Sequence, residues 1–333
     1  MSSQGSPRPP LDSAAALSAR PVPARRVPLP FGLTWADVSA QLPKYGSGGT
    51  AWRTHQKSGL HQGGPGSALV TVSYLDSDGG LRRCALFVKH IDDPGRYEAA
   101  RYRYLAARRV PVARLLAAVE RGGVEVIVLE FLPQVGIRPE EADEMLAAAA
   151  SINVLTETPD TVFPLPPGMD QADFESLVSE SLVRLRVHHP MIEPRSWLAA
   201  YRRAREAYRR LPLALTHGEF APQQVGRTED DELVVFDLET AARRPRLADV
   251  ASVLRTLSVY TGRTEPDLFA TYLRRLTAAG GGRLEVAGSW SELLVTRVVV
   301  QVEALPWMTA DPRLSAGDSV RTIAEDLAEL RLP

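Results

Sequence analysis

The hydrophobic pattern of this chain changes near residue 133, and the change divides the sequence into two parts. Before it, apolar runs typical of strands lie at 68–75, 82–91 and 124–133, separated by glycine turns and one charged helix. After it, seven segments carry apolar residues at three- and four-residue spacing, which is typical of amphipathic helices. Because single cores rarely grow beyond about 250 to 300 residues, this chain of 333 residues is predicted to form two lobes.

We therefore expect an α+β, bilobal fold: a small antiparallel β lobe with one helix over residues 31–133, and a larger helical lobe over 134–333. The DSDGG stretch at 76–80 predicts a hairpin turn within the first lobe. In the second lobe only the segment around 213–239 has the pattern of strands, and we expect a small hairpin there. Residues 1–30 contain seven prolines among Ser, Ala and Arg, which predicts a disordered tail.

The composition argues against several classes of protein. A formal net charge of -1 gives no electrostatic basis for binding nucleic acid. The single cysteine, Cys84, cannot form an internal disulfide and is expected to be a packed thiol in a reducing compartment. We find no apolar stretch of the roughly 18 residues that a membrane span needs, and no hydrophobic core of a signal peptide. We therefore expect a soluble, cytoplasmic protein without a nucleic-acid or membrane partner.

The stretch HGEFAPQQVG, at 217–226, is unusually polar for its position. It lies between an apolar run and a strand-like segment that ends at Asp237. Carboxylate and amide oxygens that converge at the ends of two short strands are suited to a metal and phosphate site. An ordinary polar turn has the same composition, so both interpretations stay open for this stretch on its own.

Lys89 and Glu98 are a candidate pair in the first lobe. Lys89 lies near the end of an apolar run, where a buried ammonium needs a negative partner, either a phosphate or Glu98. Glu98, Tyr102 and Leu105 follow one another at i, i+4 and i+7, so the carboxylate shares a helix face with apolar residues and points inward. The alternative is an exposed glutamate that the helix dipole favours at a helix start.

A glycine-rich segment separates two strand-like runs of the first lobe. It contains Gly59, Gly63, Gly64 and Gly66, followed by Ser67. Backbone N–H groups in such a segment can approach a phosphate closely, because glycine has no side chain in the way. A flexible hairpin explains the same composition.

Five stretches, in this order, resemble the aminoglycoside phosphotransferase and choline kinase family, whose fold is similar to that of protein kinases. They are Lys89 in LFVKHI, Glu98 in the following helix, VIVLEFLP, HGEFAPQQVG and VVFDLETAARRPRLADVASVL. The resemblance covers about residues 45 to 260. It implies an ATP site in the cleft between the lobes, with Mg²⁺ as the metal.

The resemblance also implies roles for first-lobe residues. Lys89, paired to Glu98, would hold the α and β phosphates. The backbone after the VIVLEFLP strand would meet the adenine, because an extended segment at a sheet edge presents unpaired N–H and C=O groups. The implied nucleotide-binding residues are Lys89, Glu98, Gly63, Gly64, Gly66, Ser67, Glu130, Phe131 and Leu132.

In the second lobe the resemblance implies a catalytic loop and a metal-binding segment. Glu219 would orient the acceptor hydroxyl or accept its proton, while Gln224 and Asp237 would supply oxygens to Mg²⁺. Asp237 and Lys89 would thereby also act in catalysis. His217 would orient the loop and Asp249 would brace it.

The chain departs from the family motif at two positions. The motif reads His-Gly-Asp followed by an asparagine, whereas this chain has Glu219 and Gln224; His-Gly-Glu occurs in a part of the family. A misplacement of about 1 Å can lower a rate about a hundredfold. The alternative to an active kinase is therefore a pseudokinase-like, nucleotide-binding scaffold or partner subunit.

The sequence leaves the phosphoryl acceptor open. The family's best-known acceptors are aminoglycosides, and a related group phosphorylates Ser/Thr of ribosomal precursor peptides together with a lyase, as in lanthipeptide biosynthesis. Seven arginines between residues 96 and 121 form either a docking face for an acidic partner or a solvated surface. Trp290 and Trp307, which flank an apolar helix, are expected to pack in the core.

Overall fold

The computed structural model describes residues 29–34, 37, 51–55, 66–75, 81–93, 98–163, 171–280, 288–310 and 316–331. The predicted tail therefore lies outside the described residues, except for Leu29 and Pro30. Leu29 is 5% exposed and packs in a core, so the tail ends earlier than predicted. The DSDGG turn and the segment with Gly59, Gly63 and Gly64 also lie outside the described residues, as does the side chain of Cys84.

The first lobe is built on one antiparallel sheet. Its five described strands lie in the order β1-β2-β3-β5-β4. They are β1 (Ala51–His55), β2 (Ser67–Leu75), β3 (Leu81–Ile91), β4 (Leu115–Arg121) and β5 (Val124–Glu130). β2 and β3 pair in a register that ends at Leu75 and Leu81, which fits the predicted hairpin. Helix α1 (Ala99–Ala107) connects β3 to β4.

Alternation along β3 decides which side chains face the second lobe. Leu86 and Val88 point to the outer face of the sheet, where they are almost fully buried. Phe87 and Ile91 point to the inner face and pack against the main core. Lys89 lies two residues from both Phe87 and Ile91, so its side chain points to the same inner face and its ammonium is directed between the lobes. Leu86 and Val88 belong to a small core on this outer face, whose other buried residues are Leu29, Leu33, Val70, Leu116, Ala117, Val126 and Val128.

The second lobe is helical, as predicted. Its described helices are α2 (Ala142–Asn153), α3 (Gln171–Arg186), α4 (Pro194–Tyr208), α5 (Ala248–Thr261), α6 (Glu265–Ala279), α7 (Trp290–Ala310) and α8 (Gly317–Glu329). The main core joins β5, α1, α2, α5 and α6, and therefore extends across both lobes. A second core lies among α3, α4, α7 and α8.

Two small sheets, and not the single hairpin predicted, carry the polar stretch at 217–226. β7 (Leu213–Thr216) pairs with β10 (Ala242–Pro245), while β6 (Gln134–Val135), β8 (Val225–Arg227) and β9 (Leu233–Val235) form the other sheet. The polar stretch connects β7 to β8 and thus crosses from one sheet to the other. The sequence prediction missed β6, which is a run of only two residues, and β10, which lies just beyond the segment predicted as strands.

Helix α7 contradicts two expectations from the sequence: that no apolar stretch is long enough to span a membrane, and that Trp307 packs in the core. By length and composition it is apolar enough to cross a membrane, and 44% of its apolar window is buried inside the protein. Its buried residues pack against α4, α5 and α8, which is typical of a core helix. Trp290 packs on the main core, as predicted, but Trp307 is 63% exposed, so the prediction that it is a core residue was wrong.

Arg297 of α7 forms a buried ion network with the neighbouring helices. Its Nε and Nη2 donate to the Asp326 carboxylate at 2.7 and 2.6 Å, and its Nη1 donates to Glu265. The side chains of Arg297 and Asp326 are only 4% and 2% exposed. Removing one partner of such a pair leaves the other charge buried without full compensation.

We predict that Asp326→Ala lowers the free energy of unfolding by about 3 kcal/mol, because Arg297 then keeps only Glu265 as a partner. Asp318→Ala is the matched control on the same helix: it removes an 87% exposed carboxylate paired to Arg321. The control is expected to cost at most about 1 kcal/mol. Urea denaturation of the two variants measures both values, and equal losses would contradict the role of the buried network.

Candidate active site

One lysine and three carboxylates meet where the two lobes come together. Lys89 Nζ donates to Glu98 Oε1 at 2.5 Å, to Asp237 Oδ1 at 2.7 Å and to Glu239 Oε2 at 3.0 Å. We call Lys89, Glu98, Asp237 and Glu239 the lysine cluster. Lys89 comes from β3 and Glu98 immediately precedes α1, whereas Asp237 and Glu239 follow β9. The cluster therefore links the first-lobe sheet to the second lobe.

The charges in the lysine cluster do not balance. Burial lowers the pKa of Lys89, but the charges of Glu98 and Asp237 outweigh it and hold that pKa above its usual value. Burial raises the pKa of Glu98 to about 7, and the Lys89 ammonium opposes this rise. One ammonium thus faces three carboxylates, and one oxygen from each of them lies within 4.8 Å of the other two. A surplus of clustered carboxylate oxygens is the environment that a hard divalent cation favours.

Glu98 points inward, as the helical spacing predicted. It is fully buried, together with Tyr102 and Leu105 on the same side of α1. Glu125 Oε2 accepts hydrogen bonds from the backbone N–H groups of Glu98 and Ala99, at 2.7 and 3.2 Å, and so caps the start of the helix. The second carboxylate oxygen of Glu98, Oε2, is buried and has no hydrogen-bond partner among the described residues.

Side chains of α1 also hold the backbone that presents Asp237 and Glu239. The Asp237 N–H donates to the Tyr102 hydroxyl at 3.0 Å, and Asp237 has a left-handed backbone with φ of 66°. Arg101 donates through Nη1 to the carbonyls of Leu238, at 2.8 Å, and Glu239, at 2.5 Å. These contacts fix the direction in which the two carboxylates leave the chain.

Sequence reasoning missed both Arg101 and Glu239. The sequence groups Arg101 with the other arginines of residues 96–121, yet it is 3% exposed, whereas Arg103 and Arg108 of the same stretch are exposed. Glu239 lies two residues after Asp237, in a short 3₁₀ helix (Leu238–Thr240) that brings both carboxylates to Lys89.

Asp249, at the start of α5, holds the loop of residues 217–224. Its Oδ2 accepts from His217 N at 2.8 Å and its Oδ1 accepts from Gly218 N at 3.0 Å. Asn153 Nδ2 donates to the same carboxylate at 2.8 Å, and the Tyr272 hydroxyl donates to Asn153 Oδ1 at 3.1 Å. The loop is thus tied to α2, α5 and α6 through one buried carboxylate.

The His217 ring connects this loop to the segment that precedes Asp237. It is fully buried, and its Nε2 lies 2.8 Å from Phe236 O. Because a carbonyl can only accept, Nε2 carries the proton, and Nδ1 accepts from Glu219 N at 3.4 Å. His217 and Asp249 therefore contact the backbone of the loop, in the positions where bracing residues were predicted.

The loop requires glycine at position 218. Gly218 has φ of +94°, and a Cβ there would collide with Arg244 Nη1 and lie 2.6 Å from Thr240 O. The left-handed backbone and the close Thr240 carbonyl both disfavour any side chain. Gly218 thus sets the direction in which the chain continues to Glu219.

Glu219 extends from this loop, and part of the residue is exposed to solvent. Partial desolvation by the surrounding protein raises its pKa, and repulsion from Asp237 and Glu239 adds to the rise. A carboxylate with a raised pKa is a stronger base near neutral pH than an ordinary glutamate. The charges of Asp237 and Glu239 thus act on the Glu219 carboxyl, and its role as catalytic base stays a prediction.

Gln224 offers an unused oxygen beside the same segment. Its side chain is 5% exposed, and its backbone carbonyl accepts from Phe236 N at 3.0 Å. Its side-chain Oε1 is buried and has no hydrogen-bond partner among the described residues. A buried amide oxygen without a partner costs free energy, about 1 to 3 kcal/mol, unless a ligand satisfies it. This oxygen and the surplus carboxylates of the lysine cluster together fit a bound Mg²⁺.

Of the predicted contacts in the glycine-rich segment, Gly66 and Ser67 lie beside β3 next to Lys89 and His90. Ser67 pairs with Lys89 in the sheet, and Gly66 lies so close to His90 that a Cβ would be 2.9 Å from His90 O. Gly63 and Gly64 lie outside the described residues.

The backbone that follows β5 is only partly available to a ligand. The Glu130 N–H donates to Arg114 O at 3.0 Å, so this group is not free to contact adenine. The Glu130 Oε1 accepts from Arg114 N at 2.6 Å. Phe131 and Leu132 continue the chain toward β6, and their predicted backbone contacts with adenine stay a prediction.

Comparison with known proteins identifies the family. A model of the phosphotransferase enzyme family matches residues 71–287, well over half of the chain. The chain belongs to the phosphotransferase enzyme family. The match includes the lysine cluster, the 217–224 loop and Asp249, and it confirms the family resemblance seen in the sequence. A comparison with curated proteins finds no match.

Solved structures of low sequence identity share the fold of this phosphotransferase-family protein. An ethanolamine kinase of Plasmodium vivax has a TM-score of 0.52 at 9% identity, with 85% of this chain and 82% of that chain covered. A choline kinase of Cryptosporidium parvum has a TM-score of 0.51 at 12% identity, with 85% and 89% covered. A choline kinase of Streptococcus pneumoniae has a TM-score of 0.51 at 12% identity, with 83% and 93% covered. The predicted α+β, bilobal, kinase-like fold is confirmed.

Two glycine variants test whether the 217–224 loop is sterically closed at Gly218. Gly262 also has a positive φ, of +71°, but nothing lies within 4 Å of its Cβ position. We expect Gly262→Ala to lower the free energy of unfolding by about 1 to 2 kcal/mol, the cost of a left-handed backbone. Gly218→Ala should cost about 1 to 3 kcal/mol more, because the methyl group also meets Thr240 O. Equal losses in urea denaturation would show that the loop has room for a side chain.

Proposed function

We propose that this protein transfers the γ-phosphate of ATP to a hydroxyl group, with Mg²⁺ as the metal. The observation that carries the proposal is the lysine cluster, in which a charged lysine from the first lobe meets three carboxylates from both lobes. Kinases hold phosphates with a lysine that a helix glutamate positions, and hold metal with an aspartate of the other lobe. Lys89, Glu98 and Asp237 have this arrangement.

The nucleotide would bind with its phosphates next to Lys89. Glu98 is buried and keeps the ammonium in place, while Asp237 and Glu239 are about one-quarter exposed and can turn toward a ligand. Lys89 is charged at neutral pH, so it can donate to phosphate oxygens when the nucleotide arrives. The first lobe thereby provides the positive charge of the site.

Three oxygen donors would hold the metal: Gln224 Oε1, Asp237 and Glu239. The buried, unsatisfied amide oxygen and the surplus of carboxylates support this set. When bound, Mg²⁺ would neutralise charge on the phosphates. Glutamine in place of the family's asparagine still supplies an amide oxygen, and the backbone hydrogen bond from Phe236 N to Gln224 O ties the Gln224 backbone to the residue that precedes Asp237.

Glu219 would act as the base toward the acceptor. The acceptor's hydroxyl oxygen forms a bond to the γ-phosphorus, the bond from that phosphorus to the bridging oxygen of ATP breaks, and the hydroxyl proton passes to the Glu219 carboxylate. ADP and the phosphorylated acceptor are the products. The raised pKa of Glu219 favours this proton transfer.

We propose a small-molecule alcohol as the acceptor. The similar solved structures include choline and ethanolamine kinases, whose named acceptors are small alcohols. A peptide Ser/Thr acceptor, a lyase partner and a cytoplasmic location stay predictions from the sequence.

ADP formation from ATP, with water as the acceptor, tests the proposed roles without an identified substrate. We expect Mg²⁺-dependent ADP formation by the wild-type protein. Glu219→Gln should lower the rate about a hundredfold, because the base is lost. Glu229→Gln, an exposed carboxylate in the turn between β8 and β9, is the matched control and should leave the rate unchanged.

Two results would contradict this account. If Glu219→Gln formed ADP at the wild-type rate, Glu219 would not be the base. If the wild-type protein bound ATP but formed no ADP with Mg²⁺, either with water or with small alcohols as acceptors, the protein would be a nucleotide-binding scaffold.

A further inference from the structure

A group of arginines surrounds one glutamate next to the 217–224 loop. Arg205 and Arg209 come from the end of α4, Arg244 comes from β10, and Glu303 comes from α7. Arg205 Nε lies 3.4 Å from Glu303 Oε1, and the charges of Arg209 and Arg244 also act on the Glu303 carboxyl. We call Arg205, Arg209, Arg244 and Glu303 the arginine corner.

The arginine corner adjoins the proposed catalytic base. Arg244 Nη1 is the atom nearest to the position that a Cβ on Gly218 would take, so its guanidinium rests against the loop residue next to Glu219. The charge of Arg244 also acts on the Glu219 carboxyl. Arg244 is therefore a positive charge near the place where an acceptor hydroxyl would meet Glu219.

Two guanidinium nitrogens in the corner lack partners. Arg244 Nη1 and Arg205 Nη1 are buried and have no hydrogen-bond partner among the described residues. Both residues are half-buried, so each keeps part of its surface exposed. Buried donors without partners are rare in folded proteins, and those on charged groups are the most costly.

The charge of the corner is positive. Arg205 contacts Glu303, and burial raises the pKa of that glutamate, while the Tyr201 hydrogen bond and the charges of Arg205, Arg209 and Arg244 oppose the rise. The Tyr201 hydroxyl donates to Glu303 Oε1 at 3.0 Å and so occupies part of its accepting capacity. Arg205 and Arg244 thus keep donors that Glu303 does not satisfy, and their positive charges disfavour an amine.

We propose that the arginine corner binds an anionic group, a carboxylate or a phosphate, carried by the acceptor whose hydroxyl meets Glu219. This inference rests on the proposed function and names the class of its acceptor: a hydroxyl compound with a negative charge. Guanidinium groups match both carboxylates and phosphates with two parallel hydrogen bonds. The rings of Phe174 and Tyr201, 6.0 and 5.8 Å from the Arg205 guanidinium carbon, form the aromatic side of the site.

Calorimetric titration with simple anions tests the proposal. The protein is first saturated with Mg²⁺ and a non-hydrolysable ATP analogue, so that the nucleotide site cannot take up the anion. Sulfate then serves as the probe for a phosphate group, and acetate as the probe for a carboxylate. We expect one saturable site for at least one probe, and the probe that binds more tightly indicates which anion the acceptor carries.

Three glutamine variants locate the site. Arg244→Gln and Arg205→Gln should each weaken binding of the probe about tenfold or more, since each removes a charge-assisted contact. Arg203→Gln, an exposed arginine of the same helix as Arg205, is the matched control and should bind the probe like the wild type. Unchanged binding of the ATP analogue in all variants shows that the loop is intact.

The outcomes separate this inference from the proposed function. If the analogue binds but neither anion does, or if both variants bind the anion as tightly as the Arg203→Gln control, the anionic acceptor is excluded and the kinase proposal stands. If the analogue fails to bind to the wild-type protein, the proposed function fails and this inference fails with it.

Discussion

The contact between Lys89 and Asp237 is the interaction on which the site depends, because it joins the first-lobe sheet to the segment after β9. Burying an ammonium and several carboxylates is costly, and such a group is stable only when each charge has partners. Glu98 and Glu239 supply those partners for Lys89. The same surplus of negative charge that holds the lysine also suits the site to a divalent cation. One cluster thereby serves both the joining of the lobes and the proposed chemistry.

In the 217–224 loop, the contacts that hold the backbone are different from the side chains that have proposed chemical roles. Its backbone is held by Asp249, His217 and the close packing at Gly218. Its two residues with proposed chemical roles, Glu219 and Gln224, have side-chain oxygens that make no hydrogen bond among the described residues. A rigid backbone with uncommitted oxygens is suited to binding and catalysis, because the geometry is set before a ligand arrives. Glu219 and Gln224 are longer than the aspartate and asparagine of the family motif, and both extend from a backbone that these contacts hold in place.

Much of the fold and of the site could be predicted from the sequence. The strand pattern of the first lobe, the helices of the second and the inward direction of Glu98 all follow from periodicity. Arg101 and Glu239 could not be found this way, because their roles depend on contacts between segments more than 130 residues apart in sequence. The pairing of β7 with β10 was missed for a related reason, since its two short strands lie apart in the chain. The arginine corner joins three elements that are also separate in sequence, so no local pattern reveals it.

Calorimetric titration of the protein with ATP, with and without Mg²⁺, tests the central claim most directly, with Lys89→Met as the comparison. The claim is that the lysine cluster is a phosphate and metal site. It predicts that Mg²⁺ strengthens ATP binding and that Lys89→Met weakens it by about tenfold or more, since a charge-assisted contact to phosphate is lost. ATP binding that is indifferent to both Mg²⁺ and Lys89 would contradict the account, and the cluster would then be a purely structural link between the lobes.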